Sequence, residues 1–100
     1  TVEFDIAATP FDTLSSVDAW MLHPQRDILL VNVNGSIRAF TSICPHAGCN
    51  NSWSYSNQVF LCSCHGSRFN NQGQVTAGPA TRNLREFPVS VDGSTVSIQL

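Results

Sequence analysis

Apolar residues recur along this chain in short bursts separated by turn signals, the rhythm of an all-β domain. The clearest burst is residues 27–33 (DILLVNV), followed by Asn34-Gly35 and then residues 36–43 (SIRAFTSI). An Asn-Gly pair supplies the two positive-φ residues of a type I′ turn, so this stretch predicts a β-hairpin. In its second strand Ile37, Ala39, Thr41 and Ile43 alternate with Arg38, Phe40 and Ser42, which puts the two sets on opposite faces. A second hairpin is expected at the end of the chain. It runs from Leu84 to Val91, turns at Asp92-Gly93, and returns from Ser94 to Leu100 with Val96, Ile98 and Leu100 on one face. Residues 2–8 alternate enough for another strand, and 17–23 form a further candidate, although 13–21 could equally hold a helical turn. The polar positions carry Ser, Thr and Asn rather than Glu and Lys; short side chains that compete for backbone hydrogen bonds disfavour helix and suit turns and strand faces.

Between the hairpins, from Cys44 to about Ala80, the character changes. All four cysteines, two of the three histidines and most of the Gly, Asn and Ser lie there. Only 58–61 and 68–70 read as strands, so this stretch is expected to need something besides its own apolar residues to hold it. With no repeat and no low-complexity linker, the chain reads as one domain over 1–100. Its base would be residues 1–43 and 81–100, with an inserted lobe at 44–80 that bears the site.

Composition narrows the function classes. The chain has 100 residues, of which 42% are hydrophobic and 12% charged, about half the ~25% charged residues of a typical soluble domain. There is no lysine, and five scattered arginines with a net charge of -2 cannot form the basic stripe that neutralises a nucleic-acid backbone. No apolar run approaches the ~18 residues of a membrane span. No basic-then-apolar signal segment opens the chain either, so a targeting or anchoring segment is expected only outside these residues. No nucleophile–base pair, phosphate-binding glycine loop or acidic dyad stands out. His23 beside Pro24 reads as a surface histidine at a strand end, and Trp20, Trp53 and Tyr55 as packing residues rather than an electron path.

The chemistry concentrates in two boxes. Cys44-Pro45-His46-Ala47-Gly48-Cys49 is followed, after twelve residues, by Cys62-Ser63-Cys64-His65-Gly66-Ser67. Two Cys–His pairs at strand tips have the spacing of a metal site. Two plainer readings stand beside it. One is a pair of structural disulfides, with three connectivities open to four cysteines. The other is a structural zinc in a closed tetrahedral site made by Cys44, His46, Cys62 and His65.

C-x-H-x-G-C followed by C-x-C-H-G-S resembles the paired motif of the Rieske [2Fe–2S] proteins, in the disulfide-containing subgroup of the cytochrome bc and arsenite-oxidase kind. The resemblance extends over residues 25 to 100, through the hairpin before the first box, Gly78-Pro79-Ala80 and the closing hairpin. It implies an antiparallel β-sandwich or barrel base with a cofactor-binding lobe. It further implies one [2Fe–2S] cluster per chain, with Cys44 and Cys62 on one iron and His46 and His65 on the other. Replacing two thiolates by neutral imidazoles makes that iron easier to reduce, and such centres lie at ~-150 to +300 mV against ~-400 mV for all-cysteine plant-type clusters. The ligating imidazoles of the family face solvent, which gives electrons a short way out and makes the potential pH-dependent at alkaline pH. Cys49 and Cys64 would be the subgroup's disulfide, a clamp absent from oxygenase-associated Rieske ferredoxins. It closes a loop of about 15 residues, worth ~3 kcal/mol in the chain-entropy treatment, and implies an oxidising, periplasmic or other extracytoplasmic compartment.

The tuning positions depart from the high-potential members. Ser67 stands where those members place a hydroxyl donor to a cluster sulfur, which raises the potential. Phe69 replaces a frequent tyrosine, and Ala47 a larger apolar residue that docks at a quinone pocket, so an intermediate potential is expected. Gly78 and Pro79 match the proline loop that covers the centre, although Thr81 replaces a further proline. The function implied is one-electron transfer between protein partners, such as a cytochrome or an oxidoreductase subunit, by a protein that is no enzyme by itself. A small subunit or soluble domain of a larger oxidoreductase would read the same, with any membrane contact through a segment absent from this chain. A zinc-stabilised interaction module is the rival from another class.

Overall fold

In a computed structural model, the structure describes residues 1–44, 52–64 and 66–100. The fold is all-β, with antiparallel pairing throughout the described strands. Strands β1 (Val2–Asp5), β10 (Val89–Asp92) and β11 (Thr95–Ile98) form one sheet in the order β1-β11-β10. Strands β2 (Trp20–Leu22), β3 (Ile28–Val33), β4 (Ser36–Thr41) and β9 (Glu86–Phe87) form a second, in the order β2-β3-β4-β9. A third holds β5 (Trp53–Ser56), β6 (Val59–Cys62), β7 (Ser67–Asn70) and β8 (Val75–Ala77) in sequence order.

The second sheet lies between the other two, and β3 shows why. Its residues are buried on both faces, as expected of a strand read as an almost continuous apolar run. Ile28 and Leu30, with Ala39 of β4, pack on Val2, Phe4, Val96 and Ile98 of the first sheet. Leu29 and Val31, with Phe40 of β4, pack on Trp53, Phe60 and Phe69 of the third. Each fully buried Leu, Ile or Phe is worth ~1.5–3 kcal/mol of transfer free energy, so the third sheet is held by an apolar core that it shares with β3 and β4. The 44–80 stretch thus draws on the apolar residues of β3 and β4 as well as its own. Its few aromatic residues are enough because all three point at one wall.

The first hairpin forms as expected, with β3 and β4 in register around Asn34 (φ 53°) and Gly35 (φ 93°). The buried Asn32 fixes both ends of this region: its Nδ2 donates to Leu14 O and its Oδ1 accepts from Gly35 N, each at 2.8 Å. The closing hairpin turns one residue later than expected, at Gly93-Ser94, because Asp92 pairs with Thr95. Leu100 lies beyond β11 and is half-exposed rather than on the inner face with Val96 and Ile98. The first strand ends at Asp5 instead of Ala8, where the Asp5 carboxylate accepts Ala7 N and its carbonyl accepts Ala8 N. Of the two readings of the next segment each holds in part, as a 3-10 helix at Phe11–Ser15 and then the short β2. Strands β5 and β8 were not expected. The β5–β6 turn at Asn57-Gln58 uses two positive-φ residues (51° and 64°) and no glycine, so it lacks the usual hairpin signal.

Candidate metal centre

Cys44 follows β4 after a bend at Ile43, and Cys62 ends β6. Both side chains are thiols outside any disulfide, both are buried, and both belong to the core shared by the second and third sheets. The chain brings them together through Trp53. This residue pairs with Cys62 across β5–β6, and its indole Nε1 donates to Ser42 O at 2.7 Å. One indole therefore ties the stem of the first box to the strand carrying the second. Downstream, Gly66 N donates to Cys62 O at 2.9 Å, and Ser63 donates to Ser52 O from both its backbone N and its hydroxyl. Cys64 is disulfide-bonded and packs against the same core.

Ser67 is fully buried, and its Oγ accepts the backbone N–H of Ala80 at 3.0 Å. Accepting that bond leaves the hydroxyl proton available for a second partner. Ala80 closes the Gly78-Pro79-Ala80 segment, in which the Gly78–Pro79 peptide is cis and Ala80 is buried in the shared core. Phe69 is fully buried beside Trp53, with ring centroids 5.7 Å apart, and across β6–β7 from Phe60. Phe60 in turn meets the rings of Trp20, Phe40, Trp53 and Tyr55 at 4.5–6.3 Å. An aromatic wall thus lines the core in which the two thiols are buried.

His46, Ala47, Cys49 and His65 lie outside the described residues. Among the described residues no three His, Cys, Asp or Glu side chains converge to hold a metal ion, as follows if half of an expected four-ligand set lies elsewhere. The donor set that is described fits a sulfur-ligated group: two buried thiols in an apolar, aromatic surround and a buried hydroxyl with a proton to give.

His23 follows the end of β2 and is partly exposed, in keeping with a surface histidine at a strand end. It packs on the rings of Phe11 and Phe4, at 5.4 and 6.4 Å, and its Nδ1 accepts Gln25 N at 3.1 Å. Burial, and then the nearby Arg26 charge, lower its pKa below 6.5. Tyr55 is raised above the ordinary tyrosine value, chiefly by burial and further by Asp18, whose carboxylate accepts its hydroxyl at 3.2 Å. Trp20, Trp53 and Tyr55 all pack on the shared core, as expected. The Trp53–Ser42 bond and the Ala80–Ser67 bond had no sequence signal; each joins residues 11 or 13 apart through a backbone group. Among the described residues no helix is long and apolar enough to cross a membrane.

A family model for the Rieske [2Fe–2S] domain matches residues 15–88. The chain is 38% identical over 73 residues to a cytochrome b6-f complex iron-sulfur subunit of Prochlorococcus marinus (strain MIT 9515), covering 71% of this chain and 41% of that one. A cytochrome b6-f complex iron-sulfur subunit of Chlorobaculum tepidum is 27% identical over 73 residues, 73% of this chain and 40% of that one. The chain thus spans about two fifths of the length of these relatives. Among solved structures, the cyanobacterial plasma membrane Rieske protein PetC3 from Synechocystis PCC 6803 superposes with a TM-score of 0.74 at 28% identity, covering all of both chains. A chain of a hyperthermophilic respiratory Complex III shares the fold, with a TM-score of 0.73 at 20% identity over 95% of this chain and 72% of that one.

Proposed function

This chain belongs to the Rieske [2Fe–2S] domain family, and from that premise we propose that it is a one-electron carrier and not an enzyme by itself. The observation that carries the reading is the pair of buried thiols, Cys44 and Cys62, in one aromatic-lined core. When bound, a [2Fe–2S] centre supplies reversible one-electron chemistry. The chain's own residues do the rest. Cys44 and Cys62 would supply thiolates to one iron, and His46 and His65 neutral imidazoles to the other, in one site per chain. Trp53, Phe60 and Phe69 keep water from the thiolates, and the Ser67 hydroxyl, oriented by the Ala80 N–H, donates to an anionic sulfur. Such a donor favours the more negative, reduced state.

Cys64 is already disulfide-bonded while Cys44 and Cys62 are thiols; with four cysteines in the chain, this supports Cys49 as its partner and an oxidising compartment. The single domain over 1–100, with base 1–43 and 81–100 and lobe 44–80, is supported by the core that joins β3 and β4 to β5–β7. The partners are redox proteins, a cytochrome or a subunit of a membrane-associated complex, on the periplasmic or other extracytoplasmic side. The iron-sulfur subunits of cytochrome b6-f complexes among the relatives support that class of assembly.

Iron and acid-labile sulfide analysis with absorption and EPR of the reduced protein tests this reading. The expected result is two irons and two sulfides per chain, a coloured protein and a rhombic signal on reduction. A colourless, EPR-silent protein with stoichiometric zinc would replace the carrier by a zinc-held interaction module. Mass analysis of the unreduced protein checks the clamp, where four free thiols in the cluster-free form would remove it.

A further inference from the structure

Ser42 carries a buried hydroxyl that finds no hydrogen-bond partner among the described residues. Its backbone is fully engaged, with N donating to Asp27 O at 3.0 Å and O accepting the Trp53 indole at 2.7 Å. The residue is 0% exposed, so bulk water does not reach the side chain. Leaving a hydroxyl unpaired in such a place costs ~1–3 kcal/mol, and native proteins rarely tolerate it without a reason. Among the described residues no group supplies that partner.

The strand geometry says which side that partner occupies. Along β4 and its continuation, Ile37 and Ala39 face the core against the first sheet, whereas Phe40 faces the core that holds Cys44 and Cys62. Ser42 shares the parity of Phe40, and Cys44 follows with the same parity after the bend at Ile43. Phe40, Ser42 and Cys44 are all buried, while the intervening Ile43 is 45% exposed. Ser42 is also one hydrogen bond from Trp53, the residue opposite Cys62. Its hydroxyl thus sits on the thiol side of the strand, immediately before the first ligand.

We infer that Ser42 is a hydrogen-bond donor to an anionic sulfide of the metal centre, a tuning residue in the first box in addition to Ser67 in the second. This rests on the proposed [2Fe–2S] reading. An O–H donor to sulfide is worth more when the centre carries the extra electron, so it favours reduction; the proton stays on the oxygen and no bond is made or broken.

Ser42→Ala and Ser42→Thr are compared with the wild type in two states. In the iron-loaded proteins, iron content and EPR come first, and protein-film voltammetry then gives the potential. Ser42→Ala is expected to lower the equilibrium constant for one-electron reduction about fivefold, ~40 mV at ~59 mV per tenfold for one electron. Ser42→Thr, which keeps the hydroxyl, should recover at least half of that shift. Resonance Raman adds a readout that packing does not move. The Fe–S modes of the wild type should shift in D2O, and part of that shift should vanish in Ser42→Ala. In the cluster-free proteins, Ser42→Ala should leave the urea midpoint unchanged or raise it, because no hydrogen bond is lost there. Full iron loading of Ser42→Ala with an unchanged potential would overturn the inference, as would a cluster-free Ser42→Ala protein clearly less stable than the wild type, since its hydroxyl would then have a partner in the polypeptide. Wild-type protein that assembles no iron–sulfur centre at all would instead refute the carrier reading, so the two failures are distinguishable.

Discussion

Trp53→Phe removes one hydrogen bond and tests whether that bond holds the two boxes together. The indole Nε1–Ser42 O bond is 2.7 Å long and buried, and Trp53 itself is 8% exposed. Phenylalanine keeps the aromatic contacts with Phe60 and Phe69 in part but leaves the Ser42 carbonyl without a donor. An orphaned buried acceptor costs ~1–3 kcal/mol, and the smaller ring adds a cavity term of the same sign, so ~2–3 kcal/mol is expected in total. For a domain of this size 1 kcal/mol moves Tm by ~4–8 °C, which places the variant roughly 8 to 24 °C below the wild type. The assay is thermal unfolding by circular dichroism, with Trp20→Phe as the control. Trp20 also meets the Phe60 ring, at 6.3 Å, but is only partly buried, so its loss should cost less than half as much. Iron loading should fall in Trp53→Phe and hold in Trp20→Phe, because only the first bond ties the stem of Cys44 to the strand of Cys62. A Trp53→Phe protein that melts within 2 °C of the wild type would refute the reasoning.

Gly73→Ala should destabilise the fold by ~2 kcal/mol or more. The added Cβ would lie 2.7 Å from Cε1 of the fully buried Phe40, at a φ of +80°; an unchanged urea midpoint would contradict this. Phe69→Tyr places a hydroxyl in the core that holds Cys44 and Cys62. If that hydroxyl donates to a ligand sulfur with ~1 kcal/mol of preference for the reduced state, voltammetry will show the potential raised by ~40 mV, and no rise would count against it. His23 has its folded-state pKa below 6.5, so as pH falls the unfolded chain takes up its proton first and stability is lost on acidification. His23→Gln should lack that part of the acid-side slope in urea titrations of the cluster-free protein. Both proteins keep the other two histidines, so equal slopes would refute the assignment.

The elements legible in the sequence are those whose own residues decide them. The 27–43 hairpin carries both its turn residues and its alternation, and it forms in the expected register. The closing hairpin was displaced by one residue because Asp92 and Gly93 are both acceptable in a turn, and only the pairing of Val91 with Val96 selects the register. Strand β5 (WSYS) alternates, but its turn has no glycine, and β8 (VTA) is too short to show a period. Cys62 ends β6 and Cys44 follows β4 after a short bend, places that the strand pattern before each box already suggests. What escaped is what side chains do to distant backbone. Trp53 reads as a packing residue and is also a strap; His23 reads as a surface residue at a strand end, and nothing local shows that Phe11 of the 3-10 helix lies against it.

The second sheet has no solvent side, since β3 turns alternate residues toward two different cores. Leu29 and Leu30 are neighbours in the chain yet report to opposite layers. The third sheet therefore cannot loosen without stripping cover from the same strands that roof the first, and the two cores should melt in a single transition. For a carrier, the benefit is stiffness. The bed beneath Cys44 and Cys62 is braced from behind by a layer that never touches them, so a change of charge at the thiols meets a wall with little freedom to rearrange.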